Sequence, residues 1–517
     1  MTSSRIQILK QYLWLAVFVI ALRVLFRIIF GELSWLAFQS AFIDGLKLAL
    51  WVLGFGVLNL LVDFQKLVPR SPKFFRTPIT ALNISMALTP EIGRSVTRVR
   101  EASKLRANRR GLRLAGAIAV PVLSNAIDRA LKLGDSIESR CFGNTRVGSS
   151  VVGLNEVSVT FGEQLVLNRV SFHPALGSIT LITGNTGSGK STLLKILQAA
   201  NPGSAYVDQF PRDAFVASTV FDELAFALEQ QRVDRAELVS RVEDMAAQFS
   251  LTPFLKSEPS DLSSGFQQRL AIAAGLISGT KLLLLDEPFS ALDRESSEEL
   301  QKILPELSKR GTTVVVVEHR TDLVRELSNS YMTMTEGVLL PGFLEIVDPV
   351  PTPKPSGTVT VLTGSNGSGK TTYLRKLARE RGVLVPQPAG DLLFRNTVAE
   401  ELAQADYDSK KAVGSTAEIL KSLIGSLPPE QNPRDLSEGQ RMALAIAIQL
   451  SQSTDFLMLD EPTLGLDQAS RRRLISILSE LASNGTELLI ATHDERLADW
   501  LGTERLEIAD GVIKVAR

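Results

Sequence analysis

The stretch GNTGSGKS at Gly184 to Ser191 decides how this chain is read, because it recurs as GSNGSGKT at Gly364 to Thr371. Each copy follows a β-rich apolar run, Ser178 to Thr183 and Thr358 to Thr363, and opens a helical run. That strand–loop–helix context is what a G-x-x-x-x-G-K-[ST] pattern requires. Its glycines let backbone N–H groups approach phosphates, its lysine neutralises the β and γ groups, and its last hydroxyl suits Mg2+. The candidate nucleotide-binding residues are therefore Gly184, Asn185, Thr186, Gly187, Ser188, Gly189, Lys190, Ser191 and Thr192 in the first copy. In the second they are Gly364, Ser365, Asn366, Gly367, Ser368, Gly369, Lys370, Thr371 and Thr372.

Further out, LLLLDEP ending at Pro288 recurs as FLMLDEP ending at Pro462, and VVVVEH ending at His319 recurs as LLIATH ending at His493, all at nearly constant spacing. A repeat of that length is a duplicated domain, not a solenoid. In each copy an apolar strand ends in Asp-Glu. Asp286 and Asp460 suit the Mg2+ shell with Ser191 and Thr371, while Glu287 and Glu461 are placed to polarise an attacking water. A strand end charged for solubility would not explain the same pair twice behind a phosphate loop.

Composition narrows the rest. The 517 residues have room for about three domains. Lys plus Arg equals Asp plus Glu at 56 each, so no global field points to nucleic acid or to an acidic partner. The single cysteine, Cys141, excludes a disulfide within the chain and any Cys-rich zinc or iron–sulfur site. Of three histidines, His173, His319 and His493, the last two occupy matching places in the repeats. Pro349 to Pro355 (PVPTPKP) reads as a stiff connector.

The N-terminal third has another character. Tyr12 to Phe30 and Trp35 to Val62 are apolar over lengths that can cross a bilayer core of about 30 Å. No small-residue cleavage site follows the first run, so a cleaved signal peptide is not expected. Arg5 and Lys10 precede the first run, and Lys66, Arg70, Lys73 and Arg76 follow the second, which puts both flanks in the cytoplasm after two crossings. Arg23 and Arg27 are expected to snorkel, and Asp44 and Lys47, three apart on one helix, to neutralise each other. Arg94 to Arg113 is densely basic, as expected of a face near anionic lipid. It lacks the interleaved aromatic residues that base stacking needs, so no nucleic-acid partner is expected.

LSSGFQQR at Leu262 to Arg269 and LSEGQR at Leu436 to Arg441, with the phosphate loops and Asp-Glu strands, resemble the signature of ATP-binding cassette (ABC) proteins over about Val152 to Arg517. The resemblance implies two α/β P-loop ATPase domains that bind ATP and Mg2+, with Gln209 and Gln387 sensing the metal. SALD at Ser290 to Asp293 and LGLD at Leu464 to Asp467 resemble the D-loops, and His319 and His493 the switch histidines. Packed head to tail, Lys190 would share a nucleotide with Ser437, Glu438 and Gly439, and Lys370 with Ser263, Ser264 and Gly265. Ser264 and Phe266 depart from the common signature, as does Glu438; added Cβ atoms weigh against phosphate contact, while by the resemblance the fifth position points away from phosphate and varies. Phe161 resembles the adenine-stacking aromatic of the first cassette; the second has only Phe343 as a candidate. Two hydrolytic sites are expected.

Arg100 to Ala107 (REASKLRA), Pro121 and ALKLGDSIESRCFG resemble the transmembrane coupling subunit of energy-coupling factor (ECF) transporters. By that resemblance Arg106 and Arg140 are coupling residues that dock onto the ATPase pair, although neither surrounding tripeptide keeps the family form. The implied protein has an α-helical membrane and coupling domain at 1–147, a first cassette at 148–340, a Pro-rich linker at 341–356 and a second cassette at 357–517. It would lie multi-pass in the cell membrane with its ATPase domains in the cytoplasm. A separate substrate-binding subunit (S component) is implied, with uptake of a vitamin, a vitamin precursor or a transition-metal ion. The competing readings are another ABC importer or exporter, and a soluble tandem-cassette protein acting on ribosomes or DNA.

Overall fold

Predominantly apolar runs without polar alternation, such as Ile179–Gly184, Leu282–Asp286 and Thr313–Val317, present no wet face and become central parallel strands, buried at every residue. The computed structural model describes residues 12–13, 16–17, 19–20, 23, 35–61, 97, 101, 133–134 and 151–515, apart from 163, 186, 320, 344–354, 382, 454, 467, 510 and 511. Two compact units, Met1–Met86 and Ala87–Arg517, divide the chain, and both repeats lie in the second.

The first repeat opens with an antiparallel pair, β1 (Leu154–Phe161) and β2 (Gln164–Phe172). Its six-stranded sheet follows: β3 (Ile179–Gly184), β4 (Ala205–Val207), β5 (Leu282–Asp286), β6 (Thr313–Val317), β7 (Ser330–Thr335) and β8 (Val338–Pro341), in spatial order β4-β5-β6-β3-β7-β8. The second repeats it with β9 (Val359–Thr363), β10 (Leu384–Val385), β11 (Phe456–Asp460), β12 (Glu487–Ala491), β13 (Glu504–Ala509) and β14 (Val512–Val515), in order β10-β11-β12-β9-β13-β14. In both sheets all pairings are parallel except the last, so the phosphate loop leaves the C-terminal end of a central strand.

Each sheet packs against a helical part with the same local design. Thr219 caps Val220–Gln230 by accepting from the Asp222 N–H at 3.1 Å, and Thr397 caps Val398–Ser409 by accepting from Glu400 at 3.2 Å. Just inside these helices Glu223 and Glu401 are buried carboxylates. Glu223 accepts from the backbone of Val216 and Ala217 at 2.9 and 2.7 Å, and Glu401 from that of Phe394 and Arg395. The signature helices Ser264–Leu276 and Glu438–Gln452 form the spine of each helical core.

The N-terminal unit holds the helix Trp35–Leu61. Lys47 Nζ lies 3.4 Å from Asp44 Oδ1, the neutralising pair expected from their spacing. Among the described residues no helix is long and apolar enough to cross a membrane. The expectation of two spans and a multi-pass location is thus unsupported: much of Tyr12 to Phe30 lies outside the described residues, and Trp35–Leu61 carries an exposed charged pair. Arg106 and Arg140 also lie outside the described residues.

Candidate functional site

Both phosphate loops are preformed. Gly184 and Gly364 pass so close to the neighbouring strand that a Cβ would sit 2.3 Å from the Met334 carbonyl oxygen and 2.4 Å from that of Ile508. Only glycine fits there. Lys190, buried, donates to the carbonyls of Gly184 and Asn185 at 2.9 and 2.8 Å; Lys370 does so to Gly364 and Ser365 at 2.6 and 3.1 Å. The loop thus encircles its own ammonium group and keeps it where a phosphate would meet it. Thr186 lies outside the described residues.

Behind the loops stand the two carboxylates of each Asp-Glu pair. Burial pushes the Asp286 carboxyl up to about 6, against the Ser191 hydrogen bond that favours its ionised form. Burial likewise raises Asp460 to about 6, opposed by the hydrogen bond from Thr371 and by nearby Arg375 and Lys370. Asp460 Oδ1 is buried without a hydrogen-bond partner. A hydroxyl beside a buried carboxylate with an unused oxygen is a set of hard oxygen donors that fits Mg2+. A divalent charge there would favour the ionised carboxylate and oppose the effect of burial.

Glu287 and Glu461 both hold left-handed backbone, with φ of 47° and 48°. Such a conformation costs roughly 1 kcal/mol or more for a residue with a side chain, and here it is imposed twice at the same place. Their N–H groups donate to Val317 and Ala491 at 2.8 Å, which fixes the turn. The two side chains are held differently. Glu287 accepts from the Gln209 amide at 2.9 Å and lies 3.2 Å from His319 Nε2. Glu461 accepts from the Thr492 hydroxyl at 3.0 Å, lies 3.0 Å from His493 Nδ1 and 3.7 Å from the Lys370 ammonium, while Gln387 is exposed.

The difference starts with one residue. Where the second cassette has Thr492, the first has Glu318, whose buried carboxylate accepts from the backbone of Phe289 and His319 at 3.1 and 2.8 Å. It has no hydroxyl to offer Glu287, and Gln209 supplies the bond. Tyr206, which donates to Asp286 at 3.2 Å, has Leu384 as its counterpart. Sequence reasoning missed Tyr206, Thr492 and Glu318, although each lies within three residues of a motif position it had marked.

The cassettes meet head to tail at the second phosphate loop. Asn366 Nδ2 donates to Ser264 Oγ at 2.8 Å and reaches the Ala291 carbonyl at 3.3 Å, while Ser264 donates to that same carbonyl at 2.9 Å. Asp293 is partly buried, which works against its charge. Hydrogen bonds from Ser296 and the Asn366 backbone, with His493 nearby, outweigh that and hold its carboxyl below the usual range. At the other junction a Cβ on Gly465 would lie 3.8 Å from both Gln209 Nε2 and Glu438 Cγ. Arg496 pairs with Asp322 across the interface at 3.0 Å. Asp467 lies outside the described residues.

The structure gives several of these positions packing partners within the protein. Ser264 bonds Asn366 in the other cassette's phosphate loop. Gly265 and Gly439 serve close helix packing, since a Cβ would meet Ser296 Oγ at 2.1 Å and Ser470 Cβ at 2.9 Å. Phe343 stacks edge-on against Tyr331 at 5.6 Å under the Arg325 guanidinium, within the first cassette, and is not free to receive a base in the second. Ser437 accepts from Gln440 N–H at 3.3 Å in a capping box whose other half is the Gln440 side chain accepting from Ser437 N–H; Ser263 makes no side-chain cap bond, and Phe266, which packs on Phe254 at 4.4 Å, has no side-chain amide to supply that other half. The side chain of Phe161 is not among those described.

Fold and site together define a pair of P-loop ATPases of the ABC type in one chain. Residues 167–290 match the ABC transporter family, and residues 424–499 an AAA domain family described by the AbiEii toxin of type IV toxin–antitoxin systems. A protein of Streptomyces coelicolor, named provisionally as an ABC transporter ATP-binding protein, is 27% identical over 525 positions, covering 70% of this chain and 93% of its own. One from Saccharolobus solfataricus with the same description is 25% identical, covering 65% and 88%. A solved structure described as a model of ribosome-bound archaeal Pelota and ABCE1 superposes with a TM-score of 0.50 at 22% identity, over 66% of this chain and 74% of that one. The last likeness shows the fold alone. The chain is an ABC-type ATPase with two cassettes that bind ATP.

Proposed function

We propose that this chain is the ATP-hydrolysing, energy-coupling module of an ECF-type importer, working with a separate substrate-binding membrane subunit. The observation that carries the membrane part is an inverted helix contact in the N-terminal unit. Ala16 and Ala49 are buried, and the Cα of Ile20 comes within 3.1 Å of where a Cβ on Gly45 would stand. Phe42, Ile43, Leu46, Leu48, Leu50 and Trp51 are exposed, Trp51 by 81%. Small residues inside and large apolar residues outside is the packing of helices in lipid, where close backbone approach replaces hydrophobic burial. The transporter descriptions of the relatives from S. coelicolor and S. solfataricus agree with this reading.

The coupling part is supported by Glu101, which pairs with Arg375 on the helix after the second phosphate loop at 3.4 Å. Arg375 also favours the ionised form of Asp460. A carboxylate from the segment that resembles a coupling helix therefore meets an arginine that bears on the Mg2+ ligand. Lys190 and Lys370 would hold the phosphates, Ser191, Asp286, Thr371 and Asp460 would hold a Mg2+ ion that screens phosphate charge, and Glu287 and Glu461 would take the proton of the attacking water. Gln209 leaves Glu287 as the site engages nucleotide. His319 and His493 orient the two glutamates.

Membrane fractionation of cells making the full chain tests the proposal. Retention through high-salt and carbonate washes, with a small apolar protein accompanying the chain into detergent, is the expected result. Release by salt alone would overturn it in favour of the soluble tandem-cassette reading.

A further inference from the structure

The loop that carries His493 is anchored by an ion pair outside the repeated motifs. Arg471, in the first turn of the helix Gln468–Ser483, pairs through Nη2 with Asp494 Oδ2, and both side chains are largely buried, at 17% and 18% exposed. The guanidinium also lies 5.5 Å from the centre of the Trp500 ring, on the helix Glu495–Leu501 that follows the histidine. Asp494 caps that helix, its Oδ1 accepting from the N–H groups of Arg496 and Leu497 at 3.2 and 3.4 Å. Thr463 donates its hydroxyl to Asp494 Oδ2 at 3.4 Å.

From Asp494 a short path leads to the reacting end of the second site. Its N–H donates to Thr492 Oγ1 at 3.0 Å, and that hydroxyl donates to Glu461 Oε2 at 3.0 Å. The same oxygen accepts from the His493 N–H at 3.3 Å and lies 3.0 Å from His493 Nδ1. Arg471 thus fixes, through one carboxylate, both the residue after the histidine and the residue two past Glu461. Glu461 needs such support, because its left-handed backbone, with φ of 48°, persists only where the surroundings impose it. At the matching places the first cassette has Ser297 and Arg320, so this pair of residue types belongs to the second. Ser297 turns its hydroxyl to the Asp293 carbonyl at 2.8 Å.

We infer that Arg471 is a positioning residue of the second site, which holds Glu461 and His493 in their working geometry through Asp494 and Thr492. Removing the guanidinium leaves a largely buried carboxylate without its countercharge, and the loop bearing both reacting groups loses its anchor. A displacement of about 1 Å at a reacting group costs up to about a hundredfold in rate. The phosphate contacts of Lys370 and Thr371 do not pass through Arg471, so the loss falls on kcat and not on KM. The inference rests on the reading of Glu461 as the group that takes the proton of the attacking water.

The test uses the full chain with Glu287→Gln, in which the second site carries the remaining turnover. Adding Arg471→Met keeps an apolar stem against Trp500 and removes the charge. kcat is expected to fall about tenfold, with KM within about twofold. In a Glu461→Gln chain, which reports the first site, the same substitution should leave turnover within about twofold. A fall in kcat below about threefold, or an equal loss in both chains, would overturn the inference. Asp494→Asn, which still caps the helix but carries no charge, gives a second variant should Arg471→Met melt at the assay temperature. It should lower kcat to a similar extent, and joined to Arg471→Met it should be no worse than either alone; additive losses would show that the two do not act as a unit and would also overturn the inference. Turnover no higher in the Glu287→Gln chain than in a chain with both Glu287→Gln and Glu461→Gln would instead overturn the reading of Glu461 beneath it.

Discussion

Asn366, in the second phosphate loop, donates its amide to the hydroxyl of Ser264, the first residue of the first cassette's signature helix, at 2.8 Å. The bond joins two sequence motifs 102 positions apart and closes one composite site before nucleotide enters. At the reciprocal junction the residue matching Asn366 is Thr186, which lies outside the described residues, and Glu438, the match of Ser264, is turned to Arg441 of its own helix at 2.9 Å. Serine can accept from Asn366 while donating to Ala291. An ionised carboxylate at that place could not make the second bond, since it has no proton to give.

This bond is expected to be worth about 1 kcal/mol. Ser264→Ala and Asn366→Ala should each lower turnover at the second site about fivefold. The double variant should be little worse than either, and a double-mutant cycle in a Glu287→Gln chain measures it. Additive losses would show that the pair does not act as a unit.

Glu287→Gln and Glu461→Gln should each reduce steady-state ATP turnover, by about a hundredfold at the site affected, as removal of a positioned base does. Single-turnover assays on each variant separate the two sites. A variant that keeps full turnover would mark its own site as non-hydrolytic.

The raised carboxyls of Asp286 and Asp460 set a pH dependence. Both have native pKa values of about 6, above the unfolded value of 3.8, so burial favours the protonated forms. The stability they contribute without metal is full below about pH 4 and is lost as pH rises through about 6, on the order of 3 kcal/mol per site. Mg2+ needs the ionised forms, so its stabilising effect in thermal melts with ATP should grow over the same interval and weaken below about pH 6. Tyr206→Phe removes a hydrogen bond to the ionised Asp286 and should move the acid limb of the first site alone to higher pH.

Glu101 and Arg375 are each about two-fifths exposed, at 41% and 43%, so their pair adds little to stability. Glu101→Lys should leave the melting temperature within about 2 °C, yet lower ATP-driven uptake in vesicles containing the partner subunit. Adding Arg375→Glu should restore part of it. Arg140→Glu should likewise leave nucleotide binding intact and uncouple transport; unchanged uptake would remove Arg140 from that role.

Much of this was legible in the linear chain. GNTGSGKS and GSNGSGKT fix strand, loop and helix because the glycines and the lysine serve one local geometry, and local geometry is written in neighbouring residues. The Asp-Glu strand ends and His319 and His493 were legible for the same reason, being repeated at constant spacing. The contacts of Ser264 and Phe343 were not legible, because each depends on what packs against it from elsewhere along the chain. Arg106 and Arg140 were marked by resemblance alone and stay proposals.

The sequence by itself thus determined two ATP-binding cassettes and the strand–loop–helix of each phosphate loop, since short motifs encode their own backbone and charge. Only the tertiary structure decided how those motifs are paired and how far the two sites differ. Thr492 holds Glu461 where Gln209 holds Glu287, and Tyr206 braces only Asp286. Asn366 finds Ser264 across the interface. Such bonds depend on distances of about 3 Å between residues far apart in sequence, and only the packed sheets and helices set those distances.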